Sequence, residues 1–151
     1  MFFYLVSIIV ILSDQALKFF VKAHLPFSRS VPILGNYIKL TYVKNSGAAF
    51  SFFSGYSTWL VIIGLAVAAL VIYFHRRLPQ KNYLLQFALA AILGGSMGNI
   101  IDRIFFHAVI DYIDLTYWPI FNLADIMINV GIATIFYAVI IKGNKNASDP
   151  I

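Results

Sequence analysis

All six acidic residues of this 151-residue chain are Asp, and four of them, Asp102, Asp111, Asp114 and Asp125, fall within 24 residues between two strongly apolar segments. A charge beside hydrocarbon costs roughly 2.5–3.5 kcal/mol even on lenient insertion scales, so ionisable groups kept there are functional candidates. Paired carboxylates are equipment for hydrolysis by activated water. An ionised one takes the proton of water, a neutral one hydrogen-bonds the carbonyl under attack, and the roles then exchange. Asp111 and Asp125 have surroundings suited to that division. Asp111 stands in the apolar run Ala108–Ile113, which favours the neutral acid. Asp125 follows Asn122 by three residues at the start of an apolar stretch, so Asn122 is expected to cap a helix with Asp125 in its first turn, where the dipole stabilises an anion. Their spacing is weakly specific by itself.

Other chemistries fit less well. A zinc hydrolase needs three protein ligands and an open position. His107 lies four residues from Asp111 and near Asp114, but His24 and His75 fall in different regions, so no metal and no cofactor is expected. His107 reads as an interfacial side chain and Asp114 as solvated or strand-edge polarity. The chain has no Cys, which excludes disulfides, thiolate catalysis and lipidation of this chain through Cys; any lipid in the chemistry belongs to a partner.

With 61% apolar and 11% charged residues, the composition is that of an integral membrane protein. Four spans are expected, Met1–Val21, Trp59–Phe74, Tyr83–Ile101 and Asp125–Ile141. Each is near the about 20 residues that cross about 30 Å of hydrocarbon as a helix. The first is read as retained, because it has no basic leader and no small-residue cleavage site, while Lys18 and Lys22 can snorkel to an interface. The short basic loop His75–Lys81, with Lys142 and Lys145 after the last span, places that loop and both termini in the cytoplasm. The net charge of +5 is spread along the chain and over span ends, which suits anionic lipid and not nucleic acid.

Between the first two spans, about 26–57 reads as a β element. Val31–Leu34 and Tyr37–Val43 flank a Gly35-Asn36 hairpin turn, and Ile38, Leu40 and Tyr42 share one face opposite Lys39 and Thr41. Gly94, Gly95, Ser96 and Gly98 narrow the third span for helix packing or for approach of a substrate backbone. Asn99, Asp102 and Arg103 are expected to close that span, with Asn99 and Asp102 on one face and Arg103 pointing elsewhere. Ala108–Ile113 reads as a re-entrant stretch dipping toward the membrane edge.

Five motifs, in order, carry a resemblance: Asp14-Gln15 with Lys18; Asn45-Ser46-Gly47-Ala48-Ala49-Phe50-Ser51; Gly94 to Arg103; Val109-Ile110-Asp111-Tyr112; and Phe121-Asn122-Leu123-Ala124-Asp125. Together they span nearly the whole chain, which resembles the bacterial lipoprotein signal peptidases, membrane aspartic proteases of prolipoproteins. The resemblance implies an all-α membrane fold of four helices with a small extracytoplasmic β-cradle, in one domain over residues 1–151. It implies Asp111 and Asp125 as the catalytic pair. Asp14, Lys18, Asn45, Gly47, Asn99, Asp102, Arg103, Asn122 and Ala124 would bind substrate or support the site, with Asp14 at the outer end of the first span. Substrates would be diacylglyceryl-modified prolipoproteins cut just before the lipidated Cys, at the extracytoplasmic face of the bacterial inner membrane, with no cofactor and no nucleic acid. Two positions depart from the family pattern: His107 stands where Gly is usual, and Ile126 where a small or hydroxyl residue is common. Two other readings compete. In one the carboxylates form a proton or cation path; in the other a non-catalytic assembly factor only pairs them with Lys18 and Arg103.

Overall fold

The computed structural model describes residues 1–47 and 57–141, with the Ile141 side chain excepted; Ala48-Ala49-Phe50-Ser51 of the second motif, Lys142 and Lys145 lie outside the described residues. Its elements are α1 (Phe2–His24), β1 (Ser30–Leu34), β2 (Ile38–Asn45), α2 (Ser57–Arg77), α3 (Tyr83–Phe106), β3 (Val109–Asp114) and α4 (Leu123–Phe136), which runs on into a π-helical turn, Tyr137–Ile141. Among the described residues, four helical segments are long and apolar enough to cross a membrane, the last of them Leu123–Ile140. Helices satisfy their own backbone where lipid offers no partner.

The central helix is α3, against which α1, α2 and α4 all pack. Small residues make this possible: Ala88, Ala90 and Ala91 are fully buried. The glycines settle in favour of helix packing. A Cβ on Gly95 would strike the Ala124 carbonyl of α4, and one on Gly98 would lie 2.5 Å from the Asp14 carboxylate of α1. By contrast α2 buries only Ala68, Val71 and His75 and turns Trp59, Ile62 and Ile63 outward, as a helix facing lipid does.

One end of the bundle is closed by an aromatic and amide cluster. Phe3 stacks on His75 at 3.8 Å. His75 Nδ1 meets Gln86 Oε1 at 2.6 Å, and the Gln86 amide donates to the carbonyls of His75 and Leu78, which ties down the short α2–α3 loop. The opposite end carries an antiparallel sheet in the order β1-β2-β3. Val21, near the end of α1, packs against Tyr42, Ile110 and Tyr112 of that sheet.

Several expectations need correction. The helices outrun the expected spans: α1 continues to His24, α2 covers Ser57–Arg77, α3 continues to Phe106, and α4 begins at Leu123. Asp102 and Arg103 therefore lie within α3, and Asp14 stands near the middle of the 23-residue α1, not at its outer end. The physical reason is internal pairing. Lys18 pairs with both Asp14 and Asp102 inside the bundle, so neither carboxylate forces a helix to stop. What ends α3 is His107, in the left-handed region at φ 56°.

Ala108–Ile113 is not a re-entrant membrane stretch. Val109–Asp114 forms β3, hydrogen-bonded to β2 with Val43 opposite Asp111 and Asn45 opposite Val109. The hairpin strands are Ser30–Leu34 and Ile38–Asn45, and the turn is closed by the Tyr37 N–H donating to the Leu34 carbonyl at 3.2 Å. Gly35 there has φ 53°, the positive value that a type II′ turn requires at its first central residue. The expected alternation in β2 also breaks. Thr41 is buried beside Tyr42, because pairing with β3 is irregular between Leu40 and Val43 and the Thr41 hydroxyl reaches Ser30 Oγ and Asp114 Oδ2, each at 2.8 Å. Asp114 is thus an acceptor at a strand end.

Candidate active site

Asp111 is brought to the site by β3 and Asp125 by the first turn of α4. The sequence around Asp125 determines its placement. Asn122 Oδ1 accepts the Asp125 N–H at 3.0 Å, and Asp125 Oδ2 accepts the Asn122 N–H at 3.3 Å, a reciprocal capping box. The remaining free N–H groups of this helix end are also occupied. Leu123 donates to the Tyr112 hydroxyl at 3.2 Å and Ala124 to Asp14 Oδ1 at 3.0 Å. Tyr112 therefore ties the strand bearing Asp111 to the helix bearing Asp125. Its phenol is pushed up to about 12, chiefly by burial, and stays neutral.

Each oxygen of both carboxyl groups accepts one amide N–H. Asp111 takes Asn122 Nδ2 on Oδ1 at 2.7 Å and Asn45 Nδ2 on Oδ2 at 3.0 Å. Asp125 takes Asn99 Nδ2 on Oδ1 at 2.8 Å and the Asn122 N–H on Oδ2. Three asparagines thus aim their NH₂ groups at carboxylates, and in each case a group that can only donate holds the amide oxygen. For Asn45 it is the Gly47 N–H at 3.0 Å, for Asn122 the Asp125 N–H at 3.0 Å, and for Asn99 the Lys18 ammonium at 2.9 Å. Reversing any of these amides would set donor against donor.

Behind the carboxylates lies a buried ion cluster. Lys18 Nζ is 2.7 Å from Asp14 Oδ2 and 3.0 Å from Asp102 Oδ2. Gln15 Nε2 donates to Asp102 Oδ1 at 3.1 Å, and the Ile110 N–H donates to Asp102 Oδ2 at 3.0 Å, beside Asp111 in β3. Asp102 and Arg103 do point apart: Arg103 turns to the cavity and donates from Nη2 to the Gly47 carbonyl at 2.9 Å.

The carboxylates open on a cavity of about 660 Å³ lined by Asn45, Asn99, Arg103, Asp111 and Asp125 on its polar side. Val109, Ile126, Ile128, Asn129 and Val130, with the segment Trp118–Phe121, line the rest. Burial pushes the Asp111 carboxyl up to about 7 and the charge of Asp125 adds to that, against the opposing hydrogen bonds from Asn45 and Asn122. A carboxyl of raised proton affinity thus shares the cavity with a second one at a helix N-terminus, an arrangement that can serve acid–base chemistry.

Residues 6–141 match the family model described as Signal peptidase (SPase) II. The chain belongs to the signal peptidase II family. It is a protease of aspartic type. The peptidase is 35% identical to the lipoprotein signal peptidase of Moorella thermoacetica over 98% of this chain and 99% of that protein. It is 40% identical to that of Halothermothrix orenii over 86% and 89%. A solved bacterial membrane enzyme superposes with a TM-score of 0.90 at 27% identity, covering 97% of this chain and 92% of that one. A second such structure gives 0.82 at 29% identity over 90% of each.

The residues singled out in the sequence form two connected groups in the peptidase. Asn45, Asn99, Arg103, Asp111 and Asp125 line the cavity, with Asn122 buried and donating to Asp111, whereas Asp14, Lys18 and Asp102 form the cluster behind it. Gly47 serves through its backbone, accepting from Arg103 and holding Asn45. Ala124 donates to Asp14 and is fully buried where α4 meets Gly95. Gln15, Trp118 and Asn129 escaped the sequence reading as site residues. Gln15 and Asn129 carried a signal, each being a polar residue inside an otherwise apolar span.

Proposed function

We propose that this peptidase cleaves diacylglyceryl-modified prolipoproteins just before the lipidated Cys, using Asp111 and Asp125 to activate water. The observation that carries the proposal is the shared cavity, in which two carboxyl groups from different elements stand within electrostatic reach and one is driven toward neutrality. Asp125 takes a proton from water, and the hydroxide attacks the scissile carbonyl carbon as the Asp111 O–H gives its proton to the carbonyl oxygen. The resulting gem-diol collapses. Asp125 passes its proton to the leaving nitrogen, the C–N bond breaks, and Asp111 recovers a proton from the diol oxygen, so that one water is consumed.

The relatives are named lipoprotein signal peptidases, which supports a prolipoprotein as substrate. The apolar wall of the cavity suits a signal helix and acyl chains held in the bilayer, whose binding positions the scissile bond at the carboxylates. In the proposed orientation the sheet end of the bundle is extracytoplasmic, and both termini and the α2–α3 loop are cytoplasmic, in the bacterial inner membrane. The charge distribution supports this, Arg76, Arg77 and Lys81 lying in or beside that short loop.

Asp111→Asn and Asp125→Asn are each expected to abolish cleavage of a lipid-modified prolipoprotein by folded, purified protein, and their losses are not expected to add in the double variant. Turnover near that of the parent protein in either single variant would exclude the pair.

A further inference from the structure

The wall that α4 contributes to the cavity below Asp125 is Ile126, Ile128, Asn129 and Val130. Three of these suit lipid or a signal helix. Asn129 does not: it is an exposed amide in a membrane-spanning helix, where polar groups are costly unless satisfied and therefore mark function. It lies one turn beyond Asp125, about 6 Å further along the axis. Nδ2 donates to the Asp125 carbonyl at 2.8 Å. That bond fixes which end of the amide points back into the helix. It leaves a second N–H and Oδ1, and Oδ1 has no hydrogen-bond partner among the described residues.

A chain entering this site must leave helical geometry, since a scissile peptide buried in a helix is closed to attack by water. Unwinding frees peptide N–H and C=O groups, and in hydrocarbon each unsatisfied group costs several kcal/mol. On the α4 side Asn129 has the only side chain besides Asp125 able to meet that need among the described lining residues. Given the peptidase function proposed above, on which this inference rests, we propose that Asn129 binds substrate backbone. Its Oδ1 accepts a peptide N–H of the extended segment beside the scissile bond, and its free N–H is placed to donate to a neighbouring carbonyl.

The test uses full-length protein in detergent, a lipid-modified prolipoprotein peptide, and a set of such peptides each N-methylated at one amide near the cut. Asn129→Leu, a favourable change for a lipid-facing helix, is expected to keep the thermal stability of the parent protein and to lose about tenfold or more in kcat/KM, as for an unpaired buried hydrogen-bonding group. Asn129→Thr, which keeps a donor and an acceptor, is expected to recover part of the loss. The decisive reading is the N-methyl series. At one amide, methylation is expected to slow the parent protein but to cost Asn129→Leu nothing further. A Leu variant within twofold of the parent protein in kcat/KM overturns the proposal, as does a full set of N-methyl penalties unchanged by the substitution. Asp111→Asn run in parallel separates the two levels: cleavage by that variant overturns the carboxylate pair itself, whereas an inactive Asp111→Asn beside a fully active Asn129→Leu overturns only the role of Asn129.

Discussion

Gly98→Ala is the substitution on which the buried ion cluster most directly depends. A methyl group there would stand 2.5 Å from Asp14 Oδ2 and 3.1 Å from its Cγ. A carboxylate at the end of a free side chain would swing away cheaply, but this one is held at both oxygens. Oδ2 pairs with Lys18 at 2.7 Å and Oδ1 accepts the Ala124 N–H at 3.0 Å. Asp14, Lys18 and Asp102 are all at most 1% exposed, so displaced charges find no water. In a helix Ala is favoured over Gly by about 1 kcal/mol. Breaking one partner out of a buried pair costs about 3–5 kcal/mol. The difference predicts a net loss of about 2–4 kcal/mol, read as a lowered thermal unfolding midpoint in a single detergent. Cleavage at a temperature where the variant remains folded should also fall, because Lys18 holds the amide of Asn99 toward Asp125. Gly64→Ala is the control: its methyl would meet only the Ile100 side chain at 2.9 Å. There repacking and propensity are expected to offset within about 1 kcal/mol. A Gly98→Ala protein as stable and as active as the parent would refute the claim that the Asp14 carboxylate is fixed.

His107→Gly is expected to stabilise the protein by up to about 1 kcal/mol, since relief of a left-handed backbone at φ 56° exceeds the added chain entropy of Gly; a lowered unfolding midpoint would contradict this. Asp111 in the folded protein keeps its proton up to about pH 7, well above the usual carboxylate value of 3.8, so folding takes up a proton between the two and stability falls as pH rises through that window. Asp111→Asn removes this dependence, so its stability relative to the parent protein should increase from pH 4 to pH 8, and parallel curves would exclude a raised Asp111. A reporter inserted near Gly35 is expected outside the membrane and one fused after Lys145 in the cytoplasm; the reverse pattern would place Asp111 and Asp125 at the cytoplasmic face.

Four helices, the hairpin and the cap at Asn122 were legible in the sequence because each is a local pattern: apolar length, a turn dipeptide, an acceptor three residues before a helix-starting Asp. The third strand was not. Val109–Asp114 reads as continuously apolar around Asp111, and a short apolar run does not by itself distinguish a membrane dip from a buried strand. Pairing with β2 across more than 60 residues of sequence separates them, and that is a tertiary fact. Helix ends were lost for a related reason. Asp14, Lys18 and Asp102 look like terminators when each is weighed alone, yet as a mutually paired group they sit inside the bundle. Asp111 and Asp125 could be nominated from local character, whereas the orientation of Asn45, Asn99 and Asn122 depends on contacts between elements.

Those orientations explain why so polar a site is stable at a membrane edge. Carboxylates close together repel unless donors face them, and an asparagine offers a donor or an acceptor according to which way it is turned. Here the choice is removed by two backbone N–H groups and one ammonium, none of which can accept. Neither Asp111 nor Asp125 contacts Lys18 directly among the described residues; the cation acts one amide away, through Asn99 on Asp125. In the proposed mechanism, a direct ammonium contact would hold the Asp125 carboxylate too strongly in its ionised form to take a proton from water. The neutral amide between them supplies a hydrogen bond without a full charge, and leaves the cation paired with Asp14 and Asp102. The same arrangement separates two burdens: the ion cluster locks α1 to α3 and to the start of α4, while the asparagines tune the carboxylates. In the proposed mechanism, the proton transfers at Asp111 and Asp125 then need not unpair the buried Lys18, Asp14 and Asp102.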